Sequence, residues 1–436
     1  LINRFKLFWS QHETSLLLAI LFIGLAIRLG LIFTVNEPID RDAKEYYAIA
    51  QNLIAGNGFS INGIEPTARR SPGYPFFLAG LMAIFGSAPR LLYIAQALIN
   101  LLTIFLIFQT LKFVNIKKHL RLIICLLFCF SSSFIYVNVL YAEVLTMLMV
   151  ALILFFALHP FLRARSELQA LLIGFIVGML IYLRPTFLYL PVFMLAGSLI
   201  LKIFKRQFPV RNYLAIAGVA LLILAPWTLR NYLVFRQFIP LVSAGGGELW
   251  SANFEIAQRV VWHSVTDIQQ YENERTISHA HQKALINQYQ QQYHLNNAEE
   301  LNRLLAKRAR SIILQHPFRY ALLCLNRVLI FWFSPPIGST TLKSISPAIF
   351  LFFLLFKYAL TILGIVGLWY WVRDNFSGAL VILMIVVYLT LLHAATHAIQ
   401  RYFLPLVPVM YFALGYFLNR TNSLISSKRL RQQLNN

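Results

Sequence analysis

The chain has 436 residues, 58% of them hydrophobic and only 12% charged. A soluble domain carries about 25% charged residues, so this composition excludes a water-soluble globular protein and leaves a bundle whose sides face lipid. The formal charge of +22 is spread in short clusters between apolar runs, which argues against nucleic acid as a partner and for basic loops on the cytoplasmic side of a membrane.

A spanning helix needs about 20 mostly apolar residues. Ten runs meet or approach this: Ser15–Thr34, Leu91–Leu111, Leu122–Leu140, Val144–His159, Leu168–Leu183, Phe187–Phe204, Tyr213–Leu229, Ile349–Val372, Ala379–Ala395 and Tyr402–Leu418. The first follows Arg4 and Lys6 and lacks a small-residue cleavage site, so it reads as a retained span. The expected fold class is all-α, a polytopic helical bundle. The whole chain, 1–436, reads as one membrane-embedded domain with a first external loop (35–90), a large external loop (230–347) and C-terminal helices (348–418).

Basic residues orient the bundle. Arg4 and Lys6, then Lys112, Lys117, Lys118 and Arg121, then Arg163 and Arg165, then Lys202, Lys205, Arg206 and Arg211, then Arg373, and finally Lys428, Arg429 and Arg431 all fall on one side if both termini are cytoplasmic. Two further apolar stretches, 73–85 and 318–333, would each put a basic cluster on the wrong side if counted alone as a span. Both are therefore expected as interfacial helices on the outer face. Cys125 and Cys129, one helical turn apart in an apolar run, read as buried core.

The first external loop is dense in polar residues. From Asp40 to Ile54 the pattern predicts a helix with Ala43, Tyr46, Tyr47, Ala50, Leu53 and Ile54 on one face, Asp42 in its first turn, and Gly56 and Gly58 as its stop. A carboxylate there is ordinarily a favourable cap. Arg69 and Arg70 follow, just before Pro72-Gly73-Tyr74. Two arginines at an external interface suit a phosphate or a lipid headgroup. In the large loop, Leu301, Leu304, Leu305, Ile312 and Ile313 repeat at helical spacing behind an Asn297/Glu300 capping box, with Arg303, Lys307, Arg308 and Arg310 on the polar side. This is expected to be a helix lying on the membrane surface. The triplet Gly245–Gly247 suits either an ordinary turn or close backbone approach to a ligand.

Glu143, Arg184, Arg230 and Arg401 come from four different spans, yet the topology puts all four at external ends. Ionisable groups near membrane depth face a cavity or a partner; with Asp42 and Arg70 they point to one polar cavity opening outward. His393 and His397 lie a turn apart nearby, but two histidines without a paired carboxylate make a weak metal site, and no cofactor is assigned. The chain shows no nucleotide-binding glycine loop after a strand.

The first loop resembles that of the GT-C glycosyltransferases, multi-span enzymes that use polyprenyl-phosphate-linked sugars, and most resembles the branch holding the aminoarabinose transferase of lipid A and the protein O-mannosyltransferases. The residues carrying the likeness are Asp42, Tyr46, Ile49 and Ala50, then Arg70, Pro72 and Tyr74. Tyr141-Ala142-Glu143, Leu183-Arg184-Pro185, Pro226 to Asn231, the Gly245–Asn253 stretch with Leu249-Trp250, and Gln400-Arg401-Tyr402 extend it. Members often have Glu where this chain has Gln400.

The resemblance implies an inverting transfer from a polyprenyl-phosphate sugar to a lipid, glycan or protein hydroxyl on the external face, in a bacterial inner membrane with the site facing the periplasm or exterior. Asp42 is then the candidate base, with Glu143 orienting the acceptor or a basic side chain. Arg69, Arg70, Arg184, Arg230 and Arg401 are candidate phosphate ligands, and Tyr46, Tyr74, Trp250, Asn253 and Tyr402 candidate substrate contacts. The rival readings are a transporter or flippase of lipid-linked anions, which the lack of an internal repeat disfavours, and a non-catalytic assembly protein, from which the carboxylate at position 42 separates an enzyme.

Overall fold

A computed structural model describes residues 12–35, 38–204, 209–243, 245–258, 262–265, 268–294, 298–335, 343 and 346–434. Arg4, Lys6, Lys205, Arg206 and the capping residue Asn297 lie outside them. The described residues form helices with no strand; Ser60 and Pro66 make an isolated β-bridge within the first loop.

In chain order the helices are α1 (Glu13–Thr34), α2 (Arg41–Ile54), α3 (Gly73–Phe85), α4 (Pro89–Phe113), α5 (Lys118–Cys129), α6 (Glu143–Leu158), α7 (Ser166–Leu183), α8 (Leu190–Phe204), α9 (Val210–Phe235), α10 (Gly245–Ala257), α11 (Ile268–Gln292), α12 (Ala298–Gln315), α13 (Pro317–Phe333), α14 (Pro347–Asp374), α15 (Phe376–Ala395) and α16 (Val407–Leu434). A single-turn helix covers Pro160–Arg163, and short 3-10 segments cover Ser132–Asn138, Pro185–Phe187 and Gln400–Leu406. Among the described residues eight helical segments are long and apolar enough to cross a membrane, those of α8 and α16 including the 3-10 turns that lead into them. They match eight of the ten expected spans. The other two are shorter: α6 has 16 residues, and the run expected as one span over 122–140 breaks into α5 and the 3-10 segment after it. Helices α3 and α13 have 13 and 17 residues and are not among the eight.

Helices α1, α4 and α5 are tied by a buried charge. Arg28 is fully buried, and its guanidinium donates to Asn100 Oδ1 at 3.0 and 2.6 Å, to the Gly24 carbonyl at 2.9 Å and to the Cys129 carbonyl at 3.3 Å. Cys129 is the last residue of α5, so the cation lies at the negative end of that helix dipole. Neutral acceptors alone can satisfy a guanidinium in an apolar bundle when several converge on it. Fixing the end of α5 also fixes where the 3-10 segment begins. That segment is held from its other side by Gln96, which donates to the Val137 and Val139 carbonyls at 3.0 and 2.9 Å and accepts from the Tyr74 hydroxyl at 2.8 Å. Cys125 and Cys129 are free and buried, as their apolar surroundings predict.

The large loop carries its own small core, in which Trp250 and Phe254 of α10 pack on Leu305 and Ala309 of α12. This corrects the expectation of a surface-lying α12: its apolar stripe, including Leu301 and Ile312, is turned onto α10 and its neighbours. The glycine triplet is explained by the same packing. A Cβ on Gly246 would strike the Asn302 carbonyl, and Gly247 N–H donates to Asn302 Oδ1 at 2.8 Å. The triplet thus opens α10 and lets α12 approach, rather than forming a turn or a ligand loop.

Helix α3 begins where a side chain is excluded. A Cβ on Gly73 would lie 2.8 Å from the Tyr182 carbonyl carbon of α7, which is backbone and cannot yield locally. Gly80, on the same helix, has open space around it. Gly73→Ala is expected to lower stability by about 1–3 kcal/mol through forced separation of α3 and α7, whereas Gly80→Ala leaves it unchanged or raises it by up to ~1 kcal/mol. Thermal unfolding of the two variants in one detergent reads the difference; equal midpoints would show that α3 is free to slide.

Candidate active site

Asp42 stands in the first turn of α2, yet its carboxylate is not spent on that helix. It lies 2.8 Å from Arg70 Nη2 and 2.5 Å from Arg401 Nη2. The chain of ion pairs continues. Arg70 Nε donates to Glu45 Oε2 at 2.5 Å, and Arg69 reaches the other Glu45 oxygen at 3.3 Å. Arg401 Nε is 3.6 Å from Glu143 Oε1, which Arg184 Nη1 meets at 3.3 Å. Thus α2, the loop before α3, the start of α6, the end of α7 and the turn before α16 converge. Each of these residues sits at or beside a helix end.

Aromatic rings complete the enclosure. Tyr46 packs edge-on to Tyr74 at 5.2 Å, with the Arg70 guanidinium 5.5 Å from its ring centre. Arg401 lies 4.5 Å over Tyr141, and Arg184 lies 5.0 Å over Tyr402. Tyr402 in turn stacks on His393 at 4.5 Å. His393 is buried, with Nδ1 2.9 Å from the His397 carbonyl. Among the described residues no group of three or more His, Cys, Asp or Glu side chains is arranged to hold a metal ion.

The two carboxylates differ in access: the side chain of Asp42 is 24% exposed, that of Glu143 only 4%. Burial alone would raise the Asp42 pKa, but Arg401 and Arg70, by charge and hydrogen bonding, outweigh it and hold the carboxyl below its usual range. Tyr46 is pushed up to about 12, by burial first and by the neighbouring Asp42 charge second. Arg70 is stabilised as a cation: burial opposes this, but Asp42, Tyr46 and Glu45 prevail. Three carboxylates face four guanidiniums in this cluster, so one positive charge is left in excess. Arg401 Nε is buried with no hydrogen-bond partner.

Of the residues singled out from sequence, Asp42, Glu143, Arg69, Arg70, Arg184, Arg401, Tyr46, Tyr74 and Tyr402 come together here. Three do not. Arg230 donates to the Thr67 carbonyl at 2.9 Å and sits among Phe59, Trp227 and Phe235, fastening the first loop to α9. Trp250 is core of the α10–α12 unit. Asn253 is fully buried, and its Oδ1 accepts from Arg327 Nη1 at 3.2 Å. Glu45 and Gln96 were not singled out, and Tyr141 was named only as the neighbour of Glu143. Glu45 is one helical turn after Asp42, a spacing that puts two carboxylates on one face, and this is the signal that would have found it.

The folded pKa of Asp42 lies below the unfolded value of about 3.9, so its ion pairs contribute stability that is fully present above that pH. That contribution is lost as pH falls through the depressed folded value. Arg401→Gln removes the stronger of the two cationic influences, and the Asp42 midpoint is expected to move upward. Infrared titration of the carboxylate band, with Asp42→Asn as the subtraction control, measures it; an unmoved midpoint would show that Arg401 does not govern this carboxyl.

Residues 69–229 match the family model described as dolichyl-phosphate-mannose-protein mannosyltransferase. No curated protein matches the sequence. Among solved structures, the archaeal oligosaccharyltransferase AglB from Archaeoglobus fulgidus, in complex with an inhibitory peptide and a dolichol-phosphate, superposes with TM-score 0.53 at 14% identity, over 97% of this chain and 52% of that one. The same organism's oligosaccharyltransferase tethered to an acceptor peptide containing the NVT sequon gives TM-score 0.51 at 15% identity, over 93% and 50%. The apo structure of ArnT from Cupriavidus metallidurans gives TM-score 0.40 at 13% identity, over 92% and 77%. The chain therefore spans about half the length of the oligosaccharyltransferases whose fold it shares. In its polytopic helical fold and in the matched segment, the chain resembles the GT-C superfamily of polyprenyl-phosphate-dependent membrane glycosyltransferases.

Proposed function

We propose that the chain is an inverting glycosyltransferase that moves a hexosyl or pentosyl unit from a polyprenyl-phosphate donor to a hydroxyl of a lipid, glycan or protein acceptor. Its site faces the outside of the membrane, in a bacterial inner membrane the periplasm. The observation that carries this reading is the partly exposed Asp42 carboxylate clasped between Arg70 and Arg401. The reaction needs a base and a phosphate clamp in contact, and these are the two components present. The match of 69–229 to a family described by a dolichyl-phosphate sugar donor and the dolichol-phosphate in the similar archaeal structure support the choice of donor.

In this reading the acceptor oxygen attacks the anomeric carbon from the face opposite the phosphate. The bond from that carbon to the phosphate oxygen breaks, the electron pair leaves with the phosphate, and Asp42 takes the acceptor's proton. A carboxylate held at low pKa is fully ionised at neutral pH but is a weak base. An arriving phosphate corrects this, because it competes for Arg70 and Arg401 and adds negative charge beside Asp42. Both effects raise the carboxyl's pKa. Arg401 Nε, buried without a hydrogen-bond partner and 3.6 Å from Glu143 Oε1, is a further donor for a phosphate oxygen. Glu143, nearly closed off from solvent, holds Arg184 and Arg401 in place rather than meeting the acceptor.

Transfer of label from a mixture of radiolabelled polyprenyl-phosphate sugars is to be measured in membranes carrying wild type, Asp42→Asn and Glu143→Gln at matched expression. Loss of the base is expected to lower the rate at least ~100-fold in Asp42→Asn. Transfer kept by Asp42→Asn and lost by Glu143→Gln would move the base to Glu143. No transfer by wild type across a broad donor and acceptor panel would overturn the enzyme reading in favour of transport.

A further inference from the structure

Glu45 is the carboxylate of the ion-pair cluster to which the transfer reaction assigns no part. It lies on α2 one turn after Asp42, on the same side of the helix. Its Oε2 accepts from Arg70 Nε at 2.5 Å, and its Oε1 is 3.3 Å from Arg69 Nη2. Arg70 turns its Nη2 to Asp42 at 2.8 Å. One planar guanidinium is thus shared between two carboxylates, and Glu45 holds the nitrogen nearest the side-chain stem. That contact fixes the plane of the fork and aims Nη2 at Asp42. The carboxylates also differ in access. Glu143 is 4% exposed, whereas Glu45 is 20% exposed and its partner Arg69 62%. Glu45 therefore stands on the side from which the cluster meets its surroundings.

The charge count gives this carboxylate a task. Four guanidiniums and three carboxylates leave an excess of one positive charge, which balances a phosphodiester donor with one negative charge. Transfer changes both sides of that balance. The bond from the anomeric carbon to the phosphate oxygen breaks, and its electron pair makes the phosphate a monoester of about −1.5 to −2. The acceptor's proton goes to Asp42, whose charge is thereby lost, so the positive excess grows as the phosphate becomes more negative. The product is then held more tightly than the donor was. Passing that proton from Asp42 to the phosphate, whose second pKa is about 6, restores both to their earlier charges. Glu45 takes no part in these proton transfers and keeps its place on Arg70 throughout. Without it the excess would be one charge larger at every stage.

We infer that Glu45 is a positioning residue and counter-charge for Arg70, which limits how tightly the cluster holds the freed lipid phosphate and so sets how fast that product leaves. The inference rests on the glycosyltransferase reading.

Undecaprenyl phosphate, a polyprenyl monophosphate, serves as the product probe, and undecaprenol, which lacks the phosphate, as the control. Their Kd values are measured on the purified full chain in nanodiscs, beside steady-state transfer from a radiolabelled polyprenyl-phosphate sugar. Glu45→Gln keeps an oxygen for Arg70 Nε but removes the charge; Glu45→Asp keeps the charge on a shorter stem. Loss of one negative charge beside the phosphate is expected to tighten undecaprenyl phosphate binding about tenfold in Glu45→Gln, with undecaprenol binding unmoved. There kcat and KM are expected to fall together, with a burst of transfer before a slower steady state, because product release then limits the rate. Glu45→Asp is expected to restore most of the wild-type affinity. Unchanged or weakened undecaprenyl phosphate binding in Glu45→Gln would overturn the inference and leave Glu45 only fastening the first loop to α2. So would an equal tightening in Glu45→Asp or toward undecaprenol, since the effect would not follow charge. Failure of the enzyme reading itself appears separately, as absent sugar transfer by wild type, because the affinity comparison needs no transfer.

Discussion

The arrangement of the bundle's polar end depends on Asp42 and Glu143 sharing Arg401. Arg401 stands 359 positions after Asp42 in sequence, so this one guanidinium joins the first loop to the last span. Its partners recruit Arg70 and Arg184, and the five elements are then held by charge where apolar packing alone would leave them free to slide. Ion pairs of this kind gain strength as water is excluded, but each charge must first be desolvated. Their worth lies less in stability than in fixing position, and a fixed position is what the proposed phosphate clamp requires.

Around this centre the neutral contacts do the levelling. Arg28 pins the end of α5, and Gln96 links Tyr74 to the 3-10 segment at Val137 and Val139. Arg230 and Trp227 secure the first loop and the return of the chain after α9. None of these side chains meets Asp42, but Arg230 holds the loop from which Arg70 reaches it.

The spans were legible because apolar runs of sufficient length admit few other structures. The break in the run over 122–140 was not, since Phe130 to Ser133 read as apolar or small and the interruption is imposed by Arg28 and Gln96 from other helices. Asp42, Arg70, Glu143, Arg184 and Arg401 were legible because charge near membrane depth is rare and the topology placed all five at the same end. Arg230 and Trp250 show the reverse: both fitted that topology or a motif, but Arg230 meets a backbone carbonyl and three rings, and Trp250 meets a helix of the large loop. Sequence gives the level of a side chain along the membrane normal, not its direction around the helix. The amphipathic α12 failed for a related reason, because an apolar stripe has the same pattern whether lipid or a partner helix covers it.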